Sequence, residues 1–241
     1  MRGRWLAVGV LVAAAFAAAA PSAFALPQRH THFLGHSVRG RPIWAVEIGN
    51  PAAPRKVLVV GLIHGNEPAG IAIAKRLQTL RPPTGTVLWI VNDLNPDGYA
   101  AHTRQNAHRV DLNRNFPYNW RLSGYPGSTY YSGPRPASEP ETQIAMHLIL
   151  TLHPRLTIWY HQAMRLVDES GGRLALEQRY AQLVGLPLRR LPAYHGTATS
   201  WENHSMPGTT SFVVELPGGT LSSTGVARHA HAVESVAAML R

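Results

Sequence analysis

Three apolar stretches that end in a metal-binding or acidic side chain constrain the fold of this chain most strongly. They read RKVLVVGLIH over 55–64, RLTIWYH over 155–161 and SFVVE over 211–215. Continuous apolar runs of this length are typical of strands that are buried on both faces of a sheet. Each run therefore predicts a central strand, and each strand carries a polar group at its carboxyl end.

Stretches with helical spacing lie between these runs. They cover 68–80, 137–152, 172–185 and 223–240, and two further strands are predicted at 41–49 and 86–95. This alternation predicts an α/β fold around a mixed or largely parallel sheet. Ligands of such sheets bind beyond the carboxyl ends of the strands. We therefore expect His64, His161 and Glu215 at one edge of the sheet.

Two of the helices begin with capping signals. Asn66 precedes the first helix and is expected to cap it, with Pro68 at its start. Ser138 is followed by Glu141 three residues later, which is the pattern of a capping box. These signals predict side-chain caps at Asn66 and Ser138.

A metal site is the main functional hypothesis. The chain contains no cysteine, so any metal site must use His, Asp or Glu. A catalytic zinc ion takes three protein ligands and leaves one position for water. His64 and Glu67 fit a near pair of ligands and His161 a remote third, with Glu215 as the base that moves the proton of the water. Alternatively, HGNEP is only a helix start, His161 a packing residue and Glu215 part of an ion pair.

The segment 96–137 is too long for a simple connection and contains further polar candidates. Arg114 beside Asn113 suits recognition of a substrate carboxylate. Asp111 is a candidate for orienting a ligand histidine, and Arg104 for stabilising the oxyanion that forms from the scissile carbonyl. The alternative is that 110–117 is only a turn rich in Asn and Asp.

The first 25 residues are predicted to be a Sec-type signal peptide. MRGRW supplies a basic start, an apolar stretch follows, and SAFA places small residues at a cleavage site between Ala25 and Leu26. The mature domain is then 26–241 and the protein is secreted; an uncleaved anchor is the alternative. No other segment is expected to span a membrane.

The predicted mature chain is strongly basic. Removing Arg2 and Arg4 leaves 21 Lys and Arg against 13 Asp and Glu, a net charge of +8. This charge favours anionic cell-wall polymers as surroundings. The arginines are scattered and no aromatic-basic module accompanies them, so a nucleic-acid partner is not expected.

Together these motifs resemble the M14 zinc carboxypeptidases, and most of all their compact bacterial branch that includes murein peptide amidases. The resemblance rests on HGNEP, NPDG, DLNRNFP, SEPET, the strand ending in His161, and FVVELPGG, in that family's order. It implies a three-layer α/β/α sandwich on a mixed, largely parallel sheet. It also implies one Zn²⁺ held by His64, Glu67 and His161.

The resemblance further implies the roles of the polar groups around the metal. Glu215 would be general base and acid, and Arg104 would stabilise the oxyanion. Asn113 and Arg114 would bind the carboxylate next to the scissile amide, and Asp111 would support His64.

Two assignments stay open at this level. The family places a tyrosine on a mobile loop, for which Tyr194 is chosen and His195 is the alternative. The side chain next to the substrate carboxylate would be selected near 197–200, and Asp168 is a candidate for an ammonium group of the substrate.

The resulting expectation is a monomeric, secreted zinc hydrolase that cuts an amide bond beside a free carboxylate. The predicted substrate is a peptide or muropeptide, with the γ-D-glutamyl–diaminopimelate bond as the expected target. The alternatives are a general metallocarboxypeptidase, a deacylase of N-acyl amino acids like aspartoacylase or succinylglutamate desuccinylase, and a non-catalytic cell-wall-binding module.

Overall fold

The computed structural model describes residues 27–240. Seven strands form one sheet. They are β1 (Arg29–His36), β2 (Pro42–Gly49), β3 (Arg55–Val60), β4 (Thr86–Val91), β5 (Leu156–Asp168), β6 (Leu188–Arg189) and β7 (Thr210–Pro217). The predicted signal peptide over 1–25 lies outside the described residues.

The sheet is mixed and largely parallel, as predicted. Its order is β1-β2-β4-β3-β5-β6, and β7 pairs with β5. The β1–β2 and β2–β4 pairs are antiparallel, whereas β3 runs parallel to both β4 and β5. The first half of β5 also runs parallel to β7.

The long strand β5 folds back around β7. Successive residues of β5 pair with successive residues of β7 as far as Ala163, which lies opposite Pro217. The order of the pairs then reverses, so that Leu166 lies opposite Glu215. His161 is also paired with Glu215. Since a residue pairs with only one neighbour on each edge of its strand, Glu215 lies between the two halves of β5. This arrangement embeds Glu215 in the sheet beside His161.

Helices cover both faces of the sheet and give the predicted three-layer sandwich. They are α1 (Ala69–Leu77), α2 (Pro96–Ala101), α3 (Pro140–Leu152), α4 (Leu174–Val184), α5 (Ala198–Ser205) and α6 (Ser223–Ala238). The core on one face contains Ile73, Tyr180 and Val233 from α1, α4 and α6. The opposite core contains Ile149 and Trp201 from α3 and α5.

Local patterns explain most of these elements. The strand β3 is apolar on both faces, and Val57 to Val60 are all buried, as a central strand requires. The helix α1 places Ile73 and Leu77 four residues apart, so both pack on the sheet. The same spacing supports α6, where Val233 and Ala237 are buried.

The structure corrects both predicted helix caps. The residue that precedes α1 is Pro68, and no side chain caps this helix. The residue that precedes α3 is Glu139, again without a side-chain cap. Ser138 instead donates its hydroxyl to Glu139 Oε1 at 2.6 Å. The predicted capping roles of Asn66 and Ser138 are therefore wrong.

Four of the α-helices and β-strands within residues 27–240 were not expected from the sequence. They are β1, α2, β6 and α5. The strand β5 is also longer than the predicted 155–161. Within residues 27–240, no helix has both the length and the apolar character needed to cross a bilayer.

Candidate active site

Three buried side chains converge at the carboxyl edge of the sheet. After β3 the chain turns through 61–68, which carries His64 and Glu67, and His161 lies on β5. Glu67 Oε2 is 2.9 Å from His64 Nδ1 and 3.0 Å from His161 Nδ1, and the two Nδ1 atoms are 3.1 Å apart. The predicted juxtaposition of these residues is confirmed.

The hydrogen-bond partners of His64 suit a cation at this point. Its Nε2 lies 2.9 Å from Asp111 Oδ1. If Nε2–H donates to that carboxylate, Nδ1 carries a lone pair that faces Glu67 Oε2. Two acceptors this close repel one another unless a proton or a metal ion lies between them. The three donor atoms thus fit a zinc ion with two imidazole ligands and one carboxylate ligand.

Asp111 and Arg104 form the layer behind these ligands. Arg104 Nε donates to Asp111 Oδ2 at 3.0 Å, and Arg104 Nη1 donates to Glu67 Oε1 at 2.9 Å. Burial alone would raise the pKa of the Asp111 carboxyl, but His64 and Arg104 beside it hold this pKa well below its usual range. Asp111 is therefore a fixed anion that orients His64, as such layers do in zinc sites.

Gln162 orients Glu67 and was not predicted. Its backbone N–H donates to Glu67 Oε2 at 3.1 Å, while its side-chain Oε1 accepts from Ala69 N at 2.8 Å. Its Nε2 also donates to Pro217 O and Gly219 O. Its position directly after His161 on a buried strand was the only sequence signal for this role.

The NPDG motif supports the turn that holds His64. Asn95 Nδ2 donates to Ile63 O at 3.1 Å, and Asn95 Oδ1 accepts from Gly98 N at 3.0 Å. A Cβ atom on Gly65 would lie 1.9 Å from the carbonyl carbon of Gly98. A glycine at position 65 is required for this contact, so the two motifs form one packed unit.

Glu215 faces the same cavity as His64 and His161. It is 9% exposed, and Met164 N donates to its Oε2 at 3.4 Å. Within the described chain, no Lys or Arg forms an ion pair with it, so the alternative role as a strand-end ion pair finds no support there. Its role as general base remains a prediction.

The segment 111–114 presents an amide and a guanidinium to the cavity. Asn113 Oδ1 accepts from Ala198 N at 2.9 Å, which leaves its Nδ2 group as the donor for a ligand. Arg114 Nη1 donates to the carbonyl of Asn113 at 2.7 Å. Burial lowers the pKa of Arg114, so a carboxylate bound there would stabilise its charge.

Two tyrosines lie beside Arg114. Its Cζ atom is 4.3 Å from the centre of the Tyr194 ring and 5.1 Å from that of Tyr130. The two rings are nearly parallel, with centres 6.2 Å apart. Tyr194 thus lies next to the proposed carboxylate-binding group, and its role as the tyrosine that contacts substrate remains a prediction. Tyr130 lies in the long loop, where no sequence pattern indicated it.

The loop that carries Tyr194 is held against the segment of Arg114. Phe116 N donates to Gly196 O at 3.0 Å. Gly196 has a φ of +65°, and a Cβ atom there would lie 2.3 Å from Arg114 O. A glycine is required at this point, and it brings Tyr194 over the guanidinium.

One cavity of about 460 Å³ is lined by His64, His161, Glu215, Asn113, Arg114, Tyr130 and Tyr194. The residues of the predicted selectivity region that line it are Thr197, Thr199 and Ser200. Asp168 also lines it, whereas His195 is exposed and is absent from the lining. The lining residues that sequence reasoning missed are Tyr130, Gln162, Met164, Glu169, Ser170, Gly171, Arg190, Leu191, Pro192, Ala193 and Val213.

The SEPET motif anchors the long loop. Asn106 Nδ2 donates to Glu139 Oε2 at 2.8 Å and to Glu141 Oε2 at 2.9 Å. All three side chains are buried. Asn106 lies between Arg104 and Asp111 in sequence, so this contact fixes the loop that brings both to the site.

The arrangement suits hydrolysis of an amide that adjoins a carboxylate. A zinc ion bound to His64, Glu67 and His161 would act as a Lewis acid and lower the pKa of a bound water molecule. Glu215 can take a proton from the attacking water and give it to the leaving amine. Arg114 lines the same cavity and can hold the substrate carboxylate there.

Comparisons with known proteins agree with a zinc site at His64, Glu67 and His161. Residues 22–170 match the model of the zinc carboxypeptidase family, Peptidase_M14. The chain is 32% identical over 197 residues to murein peptide amidase A of Escherichia coli K12, covering 73% of this chain and 77% of that protein.

Two solved structures share the fold. The murein-tripeptide amidase MpaA of Escherichia coli O157 superposes with a TM-score of 0.70 at 26% identity, covering 89% of this chain and 94% of that one. Carboxypeptidase A of Helicoverpa armigera gives a TM-score of 0.72 at 19% identity, covering 88% and 69%. The second likeness bears on the fold alone.

Proposed function

Because the chain belongs to the zinc carboxypeptidase family of metallopeptidases, we propose that it is a secreted murein peptide amidase. In this proposal it hydrolyses the amide between γ-D-glutamate and diaminopimelate in peptidoglycan peptides. The observation that carries the proposal is the similarity to murein peptide amidase A of Escherichia coli, which extends over 77% of that protein.

The cavity supports the proposal through its charges. Asn113 and Arg114 suit the free α-carboxylate of a terminal residue, and they lie on the same cavity as His161 and Glu215. Thr197, Thr199 and Ser200 leave the inner wall polar but uncharged. A long, polar terminal residue therefore fits this cavity better than an aromatic one.

The proposed location rests on the sequence alone. The basic start, the apolar stretch and the SAFA site over 1–25 favour export. The net charge of +8 that remains after cleavage favours contact with anionic wall polymers (21 basic less 13 acidic residues). Both features suit an enzyme that acts on peptidoglycan fragments outside the cytoplasm.

The test is to incubate the protein from Leu26 onward with L-Ala-γ-D-Glu-diaminopimelate tripeptide and to identify products by mass spectrometry. Release of diaminopimelate is expected, and a chelator should stop it until zinc is added back. Glu215→Gln is the matched control, since it should keep zinc and lose turnover.

Other outcomes would replace the proposal. Cleavage of ordinary C-terminal residues without release of diaminopimelate would indicate a general carboxypeptidase. Turnover of N-acyl amino acids alone would indicate a deacylase. Wall binding without bound zinc and without turnover would indicate a binding module.

A further inference from the structure

The outer wall of the cavity is built where β5 ends. The two-residue strand β6 pairs with β5 there, with Asp168 opposite Arg189. Glu169 N donates to Arg189 O at 2.9 Å. This pairing aligns the segment 168–171 with the segment 190–194, and both line the cavity.

Asp168 joins these two segments. Its Oδ1 accepts from Leu191 N at 2.8 Å, and its Oδ2 accepts from Ser170 Oγ at 2.7 Å. Each carboxylate oxygen has a further lone pair that these bonds do not use. Asp168 therefore has a fixed orientation and retains the capacity to accept from a ligand.

Opposite charges are paired on the same wall. Arg190 Nη2 donates to Glu169 Oε1 at 2.9 Å, and these side chains are 69% and 35% exposed. An ion pair this exposed contributes little to stability, so exchanging its partners for ligand groups costs little. The wall thus offers a cation and two carboxylates within one short stretch.

We propose that Asp168, Glu169 and Arg190 form a subsite for a zwitterionic group at the far end of the terminal residue's side chain. The ammonium would bind Asp168 and Glu169, and the carboxylate would bind Arg190. The α-carboxylate of the same residue would bind Arg114 at the inner end. This inference rests on the proposed function and identifies the residues that select diaminopimelate.

The presence of both charges on this wall indicates a zwitterionic ligand group. A wall with carboxylates alone would favour a lysine-like side chain, and a wall with an arginine alone would favour an acidic one. A zwitterion carries its ammonium and carboxylate on one carbon atom, which matches a cation and an anion already in contact. It can therefore replace both partners of the Glu169–Arg190 pair at once.

The experiment compares three γ-D-glutamyl dipeptides that end in meso-diaminopimelate, L-lysine or L-2-aminopimelate. The wild-type protein is expected to cleave the first with a kcat/KM about tenfold above each of the others, since each lacks one charge. Arg190→Gln should lower kcat/KM about tenfold for the two substrates with a distal carboxylate and leave the lysine substrate unchanged. Glu169→Gln should lower kcat/KM for the two substrates with a distal ammonium group and leave the aminopimelate substrate unchanged.

The controls separate this inference from the proposed function. Arg179→Gln, at an exposed position of α4 outside the cavity lining, should leave all three rates unchanged. Equal kcat/KM values for the three dipeptides, or equal losses on all of them in Arg190→Gln, would overturn the subsite. If no γ-glutamyl bond is cleaved, N-acetyl-L-alanyl dipeptides with the same three terminal residues provide the same test, with the same overturning outcomes.

Discussion

The guanidinium carbon of Arg114 lies 4.3 Å from the centre of the Tyr194 ring. The proposed carboxylate-binding cation is thus already covered by the aromatic ring of the neighbouring loop. Such a contact stabilises the cation through the ring's quadrupole and leaves the edge of the guanidinium free to donate hydrogen bonds. Arg114 and Tyr194 are therefore expected to act together on the substrate carboxylate.

Replacing Arg114 should test the carboxylate site directly. Arg114→Lys keeps the charge but loses the planar pair of donors. We expect KM for a substrate with a free terminal carboxylate to rise at least about tenfold, as loss of a charged hydrogen bond of roughly 1.5–3 kcal/mol implies. The matching substrate with a terminal amide should be nearly insensitive, and a similar loss on both substrates would contradict the assignment.

Replacing Glu215 should separate proton transfer from metal binding. Glu215→Gln keeps the shape of the side chain and removes its basicity. We expect kcat to fall by about 10²–10⁴-fold, the usual contribution of a general base. Zinc content, measured by elemental analysis, should remain one ion per chain. Loss of the metal in this variant would mean that Glu215 is a ligand instead.

Replacing Asp111 should weaken the metal through His64. Asp111→Asn preserves an acceptor for His64 Nε2–H but removes the negative charge behind the ring. We expect zinc affinity to fall by about 10–100-fold, as for other groups that orient metal ligands. Competition with a chromogenic chelator measures this change, with Glu234→Gln on α6 as the control. Unchanged affinity would indicate that Asp111 only positions Arg104.

Replacing Asn106 should loosen the long loop. Asn106→Ala removes both donors that satisfy Glu139 and Glu141, and it leaves buried carboxylates without those partners. We expect a loss of roughly 2–4 kcal/mol in the free energy of unfolding, measured by urea denaturation. Turnover below the transition should also fall, since this loop carries Arg104. An unchanged unfolding midpoint would show that the contact is dispensable.

The buried acid Glu202 should make stability depend on pH. Burial raises its pKa to about 7, above the ordinary value of 4.5, so the folded state holds a proton that the unfolded state releases. The contribution of Glu202 to the free energy of unfolding should therefore be largest below pH 4.5. It should fall by up to roughly 3 kcal/mol as the pH rises through 7.

Glu202→Gln should flatten that profile. The relevant measurement is the difference in Tm between pH 5 and pH 8 for the variant and the wild type. Part of the pH dependence of stability should remain in the variant, because burial also raises the pKa of Glu177 to about 7. Parallel profiles for the two proteins would show that Glu202 does not titrate in this range.

The sequence predicted the parts of the site that lie at strand ends. His64, His161 and Glu215 each follow an apolar run, and the geometry of a parallel sheet brings such positions together. Asn113 and Arg114 were also candidates from the sequence, and the structure places both in the cavity lining, whereas their role in binding a carboxylate remains a prediction.

The parts that were missed depend on tertiary contacts. Tyr130 reaches Arg114 from a loop without periodicity, and Arg190 reaches the cavity only because β6 pairs with β5. The edge strand β1 is too polar to read as a strand, with exposed residues along most of its length. The predicted caps at Asn66 and Ser138 failed because Ser138 bonds to Glu139 and α1 begins only at Ala69, after Pro68.

The contact between Gly65 and Gly98 also limits how this protein can be redesigned. A loop graft that moves HGNEP into another scaffold would carry two of the three zinc ligands, without the backbone surface on which their turn packs. The recipient would then also need the NPDG turn, with the asparagine that corresponds to Asn95 facing the grafted HGNEP turn. The smallest transferable unit of this metal centre is therefore a pair of distant turns together with the strand that carries His161, and not a single motif.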